Sequence, residues 1–86
     1  MRVDKFLKVS RLIKRRTLAK EVCDGGRVSI NDRLAKAGSE VAIGDRVRLQ
    51  FPRRLVEVEV VLIKESVRAE EAKDLYRVVR DEPLEG

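Results

Sequence analysis

The chain has 86 residues, which allows one domain and leaves no room for two lobes around a large cleft. Hydrophobic residues at 43% exclude wholesale disorder, and with no Trp, one Tyr and two Phe the core has to be built from aliphatic side chains. The net charge of +5 is concentrated: residues 1–20 carry eight bases against the single acid Asp4, for +7, while residues 21–86 sum to −2. Such a one-sided field attracts polyanions over about a Debye length, ~8–10 Å at physiological salt, so nucleic acid and anionic membrane are the two candidate targets.

The first predicted element is a short helix over 4–13, with Asp4 as N-cap and Phe6, Leu7, Val9, Ser10 and Ile13 along one stripe. Lys14-Arg15-Arg16 forms a basic corner. A second helix over 16–24 directs Leu18, Ala19, Val22 and Cys23 inward and stops at Gly25-Gly26. The periodicity then changes from helical to alternating. Val28 and Ile30 face one way and Arg27, Ser29 and Asn31 the other, which predicts a strand followed by an Asn31-Asp32 turn. Residues 33–40 read as a connecting loop. Val41 to Asp45 turn into a strand over Arg46–Phe51, and Pro52-Arg53-Arg54 reverses the chain into a second arm over Leu55–Ile63, the two arms forming an antiparallel hairpin. Glu57 and Glu59 fall on a solvated face there, and some of Arg46, Arg48, Arg53 and Arg54 are expected to oppose them across the hairpin. Ala69–Tyr76 has helix-forming composition, Tyr76–Val79 is either the helix end or a short strand, and Asp81–Gly86 is expected to fray. The division expected is 1–63 as one unit, the basic helices with their strand and hairpin extension, and 64–86 as an acidic C-terminal helix and tail.

The residue inventory argues against catalysis. There is no histidine, so the commonest general base and metal ligand are missing. One cysteine makes neither an intrachain disulfide nor a zinc site of the usual Cys/His type, and Cys23 reads as a small core residue. No phosphate-binding glycine motif occurs. No metal, no cofactor and no enzymatic activity are expected. No stretch approaches the ~20 apolar residues of a membrane span, and the apolar stripe of the basic segment is needed for the core, so the expectation is a soluble, cytoplasmic protein with no membrane partner.

The residues that carry a resemblance are Arg2-Val3-Asp4-Lys5-Phe6-Leu7, Arg11, Arg15-Arg16-Thr17-Leu18-Ala19, Gly26-Arg27-Val28-Ser29-Ile30-Asn31, Lys36, Ser39, Val41 and Gly44-Asp45-Arg46-Val47. Their order and spacing over about residues 1–50 resemble the RNA-binding domain named after small-subunit ribosomal protein S-four, the alpha-L motif. The whole chain is similar to the stand-alone RqcP-type branch that serves bacterial ribosome-associated quality control. It is also similar to the heat-shock protein fifteen type, whose basic tail is longer; residues 64–86 here hold five bases and seven acids. The resemblance implies an α+β fold: a single small alpha-L domain, two N-terminal helices packed on a small, mostly antiparallel sheet, with a short C-terminal helix or tail. It implies a factor that binds large-subunit rRNA and peptidyl-tRNA on stalled large subunits and assists C-terminal alanine tailing with the tailing factor RqcH, as a monomer off the ribosome. The alternatives are a protein-interaction adaptor working through the hairpin and acidic tail, and a generic recycling factor for stalled large subunits. Two positions depart from the family pattern: Asp32 stands where Gly is usual in the turn, and Arg15 where Ser or Thr often caps the second helix.

Arg16 falls on the family's motif arginine, and with Arg15 it sits at a helix N-terminus, where backbone N–H groups favour phosphate. Arg2, Lys5 and Arg11 match basic positions on and before the first helix, the competing reading for each being plain surface charge or a pair with Asp4. Lys8, Lys14 and Lys20 add to the field from the periphery, and Arg27, Asn31 and Lys36 edge the strand and loop. No aromatic stacking platform is evident, so the expected target is folded RNA read by shape and phosphate contacts.

Overall fold

A computed structural model describes residues 1–84. Helix α1 spans Val3–Val9 and α2 spans Arg16–Asp24. Strands β1 (Val28–Ile30), β2 (Arg33–Leu34), β3 (Arg46–Phe51), β4 (Arg54–Val60) and β5 (Tyr76–Pro83) form one antiparallel sheet in the order β2-β1-β3-β4-β5, and a 3-10 helix over Ala69–Leu75 precedes β5. This is the expected α+β fold.

Helix α1 differs from its prediction at both ends. Asp4 is not the N-cap, because the helix starts one residue earlier and Arg2 occupies the cap position. Two of the orphan N–H donors of the first turn are satisfied by main chain: Val3 N donates to Ser39 O at 2.8 Å and Asp4 N to Ala37 O at 3.3 Å. The carboxylate of Asp4 is thereby left for another role. At the other end α1 stops at Val9 rather than Ile13, since Arg11 takes the left-handed conformation (φ 64°). The chain folds back there, Ile13 N donates to Leu7 O at 3.0 Å, and Ile13 still reaches the core.

Helix α2 follows its prediction at both ends. Gly26 takes φ 79° at its close, where a residue with a Cβ would be strained. Ala19 and Cys23, one turn apart, face the core, but Leu18 is 47% exposed rather than inward. Leu18 precedes Ala19 by about 100° around the helix, so it falls on the solvent side of the stripe.

The Asn31-Asp32 turn adopts φ of 50° and 66°, the two left-handed residues of a type I′ hairpin, despite Asp in place of Gly. Asn31 secures it: its Nδ2 donates to Asp45 Oδ1 at 3.0 Å and its Oδ1 accepts from Arg46 N at 2.9 Å. The expected loop over 33–40 includes the two-residue strand β2, too short to show periodicity. Strand β4 ends at Val60, short of Ile63, because Val61 N and Leu62 N turn to Leu75 O. The residues from Asp81 to Pro83, expected to fray, belong to β5, which pairs with β4 from Val60↔Tyr76 to Arg54↔Pro83. Glu85 and Gly86, the end of that expected frayed segment, lie outside the described residues.

The core lies between the helices and one face of the sheet. Phe6 and Leu7 of α1, Ala19 and Cys23 of α2, Val28 of β1, Val47 and Leu49 of β3, and Val58 and Val60 of β4 are essentially inaccessible, and Leu75 closes the end beside β5. Burial raises the Cys23 thiol from 9.0 to about 11, with Asp4 and then Asp24 adding to the shift, so it is a neutral core group.

Candidate nucleic-acid interface

The centre of the basic region is the carboxylate of Asp4, only 2% exposed. Its Oδ1 accepts from Lys5 N at 2.7 Å and its Oδ2 from Arg2 Nη2 at 3.2 Å, while Arg16 Nη2 stands 3.5 Å from Oδ1. A buried carboxylate demands charged partners, and here it takes two, from residues fourteen positions apart in sequence numbering between Arg2 and Arg16. Both guanidinium groups remain about half exposed, so each still presents N–H donors outward. The loop from Lys36 to Ser39 completes this end. Ser39 Oγ accepts from Lys36 N at 2.9 Å, Ala37 N donates to Asp24 Oδ1 at 3.0 Å, and Gly38 lies beside the Arg2 guanidinium.

The N-terminus of α2 adjoins this cluster. Arg15 occupies its cap position in an extended conformation and makes no side-chain cap, and the first turn holds no acid. The first N–H groups of the helix are therefore available, and the dipole adds positive potential. Lys14, Arg15 and Arg16 surround them, all exposed.

The other predicted site residues divide by what they touch. Lys8, Lys14, Arg15, Lys20, Arg27 and Lys36 are exposed, and among the described residues their side chains form no ion pair. Lys5 pairs with Glu65 of the segment that follows β4, and Arg11 Nη2 lies 3.5 Å from Val67 O in the same segment. That segment runs beside the face, a neighbour the sequence pattern did not announce. Asn31 is exposed, and its amide bonds to Asp45 and to the start of β3.

The Arg2–Asp4 pair is the competing reading of the sequence made real, and what sequence reasoning missed is that Asp4 also draws in Arg16. The available signal was its isolation as the one acid among eight bases. The second basic cluster resolves as the hairpin predicted. Arg46 lies opposite Glu59 and Arg48 opposite Glu57, with Arg77 and Arg80 across on β5. Glu57, read as solvated, is in fact only 9% exposed, covered by this charged ladder, and Arg48 Nε stands 3.6 Å from its Oε1.

A family model described as the S4 domain matches residues 1–47. The chain belongs to the S4 domain family. The match spans the basic helices, the 36–39 loop and the first residues of β3. A "RQC P-site tRNA stabilizing factor" of Halalkalibacterium halodurans is 58% identical over 98% of this chain and 96% of its own length. The protein of the same name from Bacillus subtilis is 55% identical over 98% of both chains. Among solved structures, the S4 domain chain superposes on a trimeric heat shock protein 15 of Vibrio cholerae with a TM-score of 0.85 and 34% identity, covering 92% of this chain and 81% of that one.

Proposed function

We propose that this protein is a non-enzymatic RNA-binding factor of bacterial ribosome quality control, which holds tRNA in the P site of a stalled large subunit. The observation that carries the reading is the Arg2–Asp4–Arg16 cluster at the uncapped N-terminus of α2, with Lys14 and Arg15 beside it. Half-exposed guanidinium groups held by a buried acid are preorganised, so little side-chain freedom is lost when phosphate oxygens replace water on their outer N–H groups. The N–H groups of the first turn of α2 add neutral donors at the same place. The names of the full-length relatives specify the context, RQC and P-site tRNA.

In this reading Arg2, Arg15 and Arg16 make the central phosphate contacts. Lys8, Lys14, Lys20, Arg27 and Lys36 supply the surrounding field, Lys5 and Arg11 contribute from beside the 65–67 segment, and Asn31 shapes the turn. The ligand is rRNA of the large subunit together with peptidyl-tRNA, read through the backbone rather than the base sequence. The factor works in the cytoplasm beside the alanine-tailing factor RqcH and is a monomer away from the ribosome. No helix among the described residues is long and apolar enough to cross a membrane.

Gradient sedimentation of a cell lysate tests this. Tagged protein is expected with large subunits that carry peptidyl-tRNA at low salt, leaving them as salt rises. Protein that stays at the top of the gradient at low salt would contradict the ribosomal reading.

A further inference from the structure

Beyond the phosphate-binding groups, α2 carries an apolar feature that they do not use. Leu18 and Val22 lie one turn apart on the helix, Leu18 is 47% exposed and Val22 is half-buried. Together with Glu21, Gly25 and Arg27 they line an open notch of about 300 Å³. That volume is at the lower end for small-ligand sites, roughly 300–1,000 Å³. The notch pairs an aliphatic surface with one cationic and one anionic side chain, and it begins in the first turn of α2, where the phosphate-binding N–H groups are.

We propose that this notch seats a single unstacked base of the bound RNA, a reading that rests on the basic face being the RNA surface. The occupant follows from chemistry and position. Phosphate is excluded by the Leu18 and Val22 side chains and by the Glu21 carboxylate. A base has a flat apolar face for Leu18 and Val22, and its edge carries both donors and acceptors. Glu21 accepts from a base N–H, and Arg27 donates to a ring nitrogen or carbonyl, or lays its guanidinium plane on the ring. Phe6 is fully buried, so an aromatic platform on α1 is not available. Aliphatic side chains and an arginine take that place. The notch thus adds a local preference for a bulged or looped nucleotide to a face that otherwise reads only backbone.

The test titrates the full chain with two labelled RNA hairpins at one fixed salt concentration. One has a fully paired stem and the other has one unpaired nucleotide in that stem. The wild type is expected to bind the bulged hairpin roughly fivefold more tightly, no more than the bottom of the range for stacking on an aromatic ring, because the notch offers aliphatic groups and an arginine instead. Leu18→Ala should abolish that preference without changing affinity for the paired hairpin, and Leu18→Met should restore it. Equal affinity of the wild type for both hairpins, or a preference that survives in Leu18→Ala, overturns the notch and leaves the basic face standing. No measurable binding to either hairpin overturns the basic face and the notch with it.

Discussion

In the sheet, Arg48 stands between Asp32 and Glu57, Arg54 holds Asp81, Arg77 holds Glu59 and Arg80 holds Glu82. In the helical layer, one buried carboxylate serves Arg2 and Arg16 together, and Lys8, Lys14, Arg15 and Lys20 meet no acid among the described residues. The two regions contain similar numbers of bases, but only one leaves a net field. A cross-strand ladder consumes charge at each rung, since the pleat sets Glu57 and Glu59 opposite Arg48 and Arg46. Residues 1–20 hold a single acid, Asp4, and the fold buries it. Where net positive charge remains is thus decided by pairing rather than by the count of arginines.

The contrast can be broken from either side. The largest effect is expected from Arg2→Ala combined with Arg16→Ala. Loss of two charge-assisted phosphate contacts should weaken large-subunit binding about a hundredfold in co-sedimentation; because Asp4 also loses both charged partners, urea unfolding should show lower stability, while circular dichroism in buffer still shows a folded chain. Retained binding by that folded double variant would show that the helical arginines do not act as described. Asp4→Asn is expected next. It keeps the shape but removes the charge that holds two guanidinium groups together, and should cost roughly 1–3 kcal/mol in urea unfolding and also weaken RNA binding. A stability change with no binding change would make Asp4 a purely structural group.

A third expectation concerns alkaline pH. The Cys23 thiol has its value raised in the folded state to about 11 by burial, with Asp4 and Asp24 contributing. Below the unfolded thiol value of 9.0, both states keep the proton and the full contribution is present. Above it the unfolded chain loses the proton first, so this contribution falls as pH rises through the folded value of about 11. Chemical denaturation of Cys23→Ser, set against the wild type, should show that part of the alkaline loss removed. The smallest effect belongs to the sheet: Arg54→Ala disrupts an exposed pair with Asp81, and should change stability by less than ~0.5 kcal/mol and leave RNA binding intact. A marked loss of RNA binding in Arg54→Ala would extend the interface onto the hairpin.

Much of this arrangement is legible in the sequence. The boundaries of α2 follow from the basic corner and Gly25-Gly26, and β3 from the strict alternation of Arg46 to Phe51, because local periodicity and backbone preference are enough to fix them. Strand β5 resists the same reading. It is an edge strand of mixed polarity, and the register shift against β4 at Glu57/Val58 breaks its alternation, so Asp81 to Pro83 resemble a tail. The role of Asp4 is hidden for a different reason. A lone acid near a helix start suggests a cap, and only the tertiary approach of Ser39 and Ala37 to the first turn makes that cap unnecessary. Leu18 fits an apolar stripe by spacing alone, and its exposure depends on where α2 meets the sheet.

The most direct test of the central claim is the salt dependence of binding to large ribosomal subunits, measured as log K against log salt for the wild type, Arg16→Ala and Arg48→Ala. Removing one phosphate contact should lower the magnitude of the slope by about 1 for Arg16→Ala, while Arg48→Ala keeps the wild-type slope. Equal slopes for the wild type and Arg16→Ala, or a reduced slope for Arg48→Ala, would contradict the assignment of the anion surface to the helical layer.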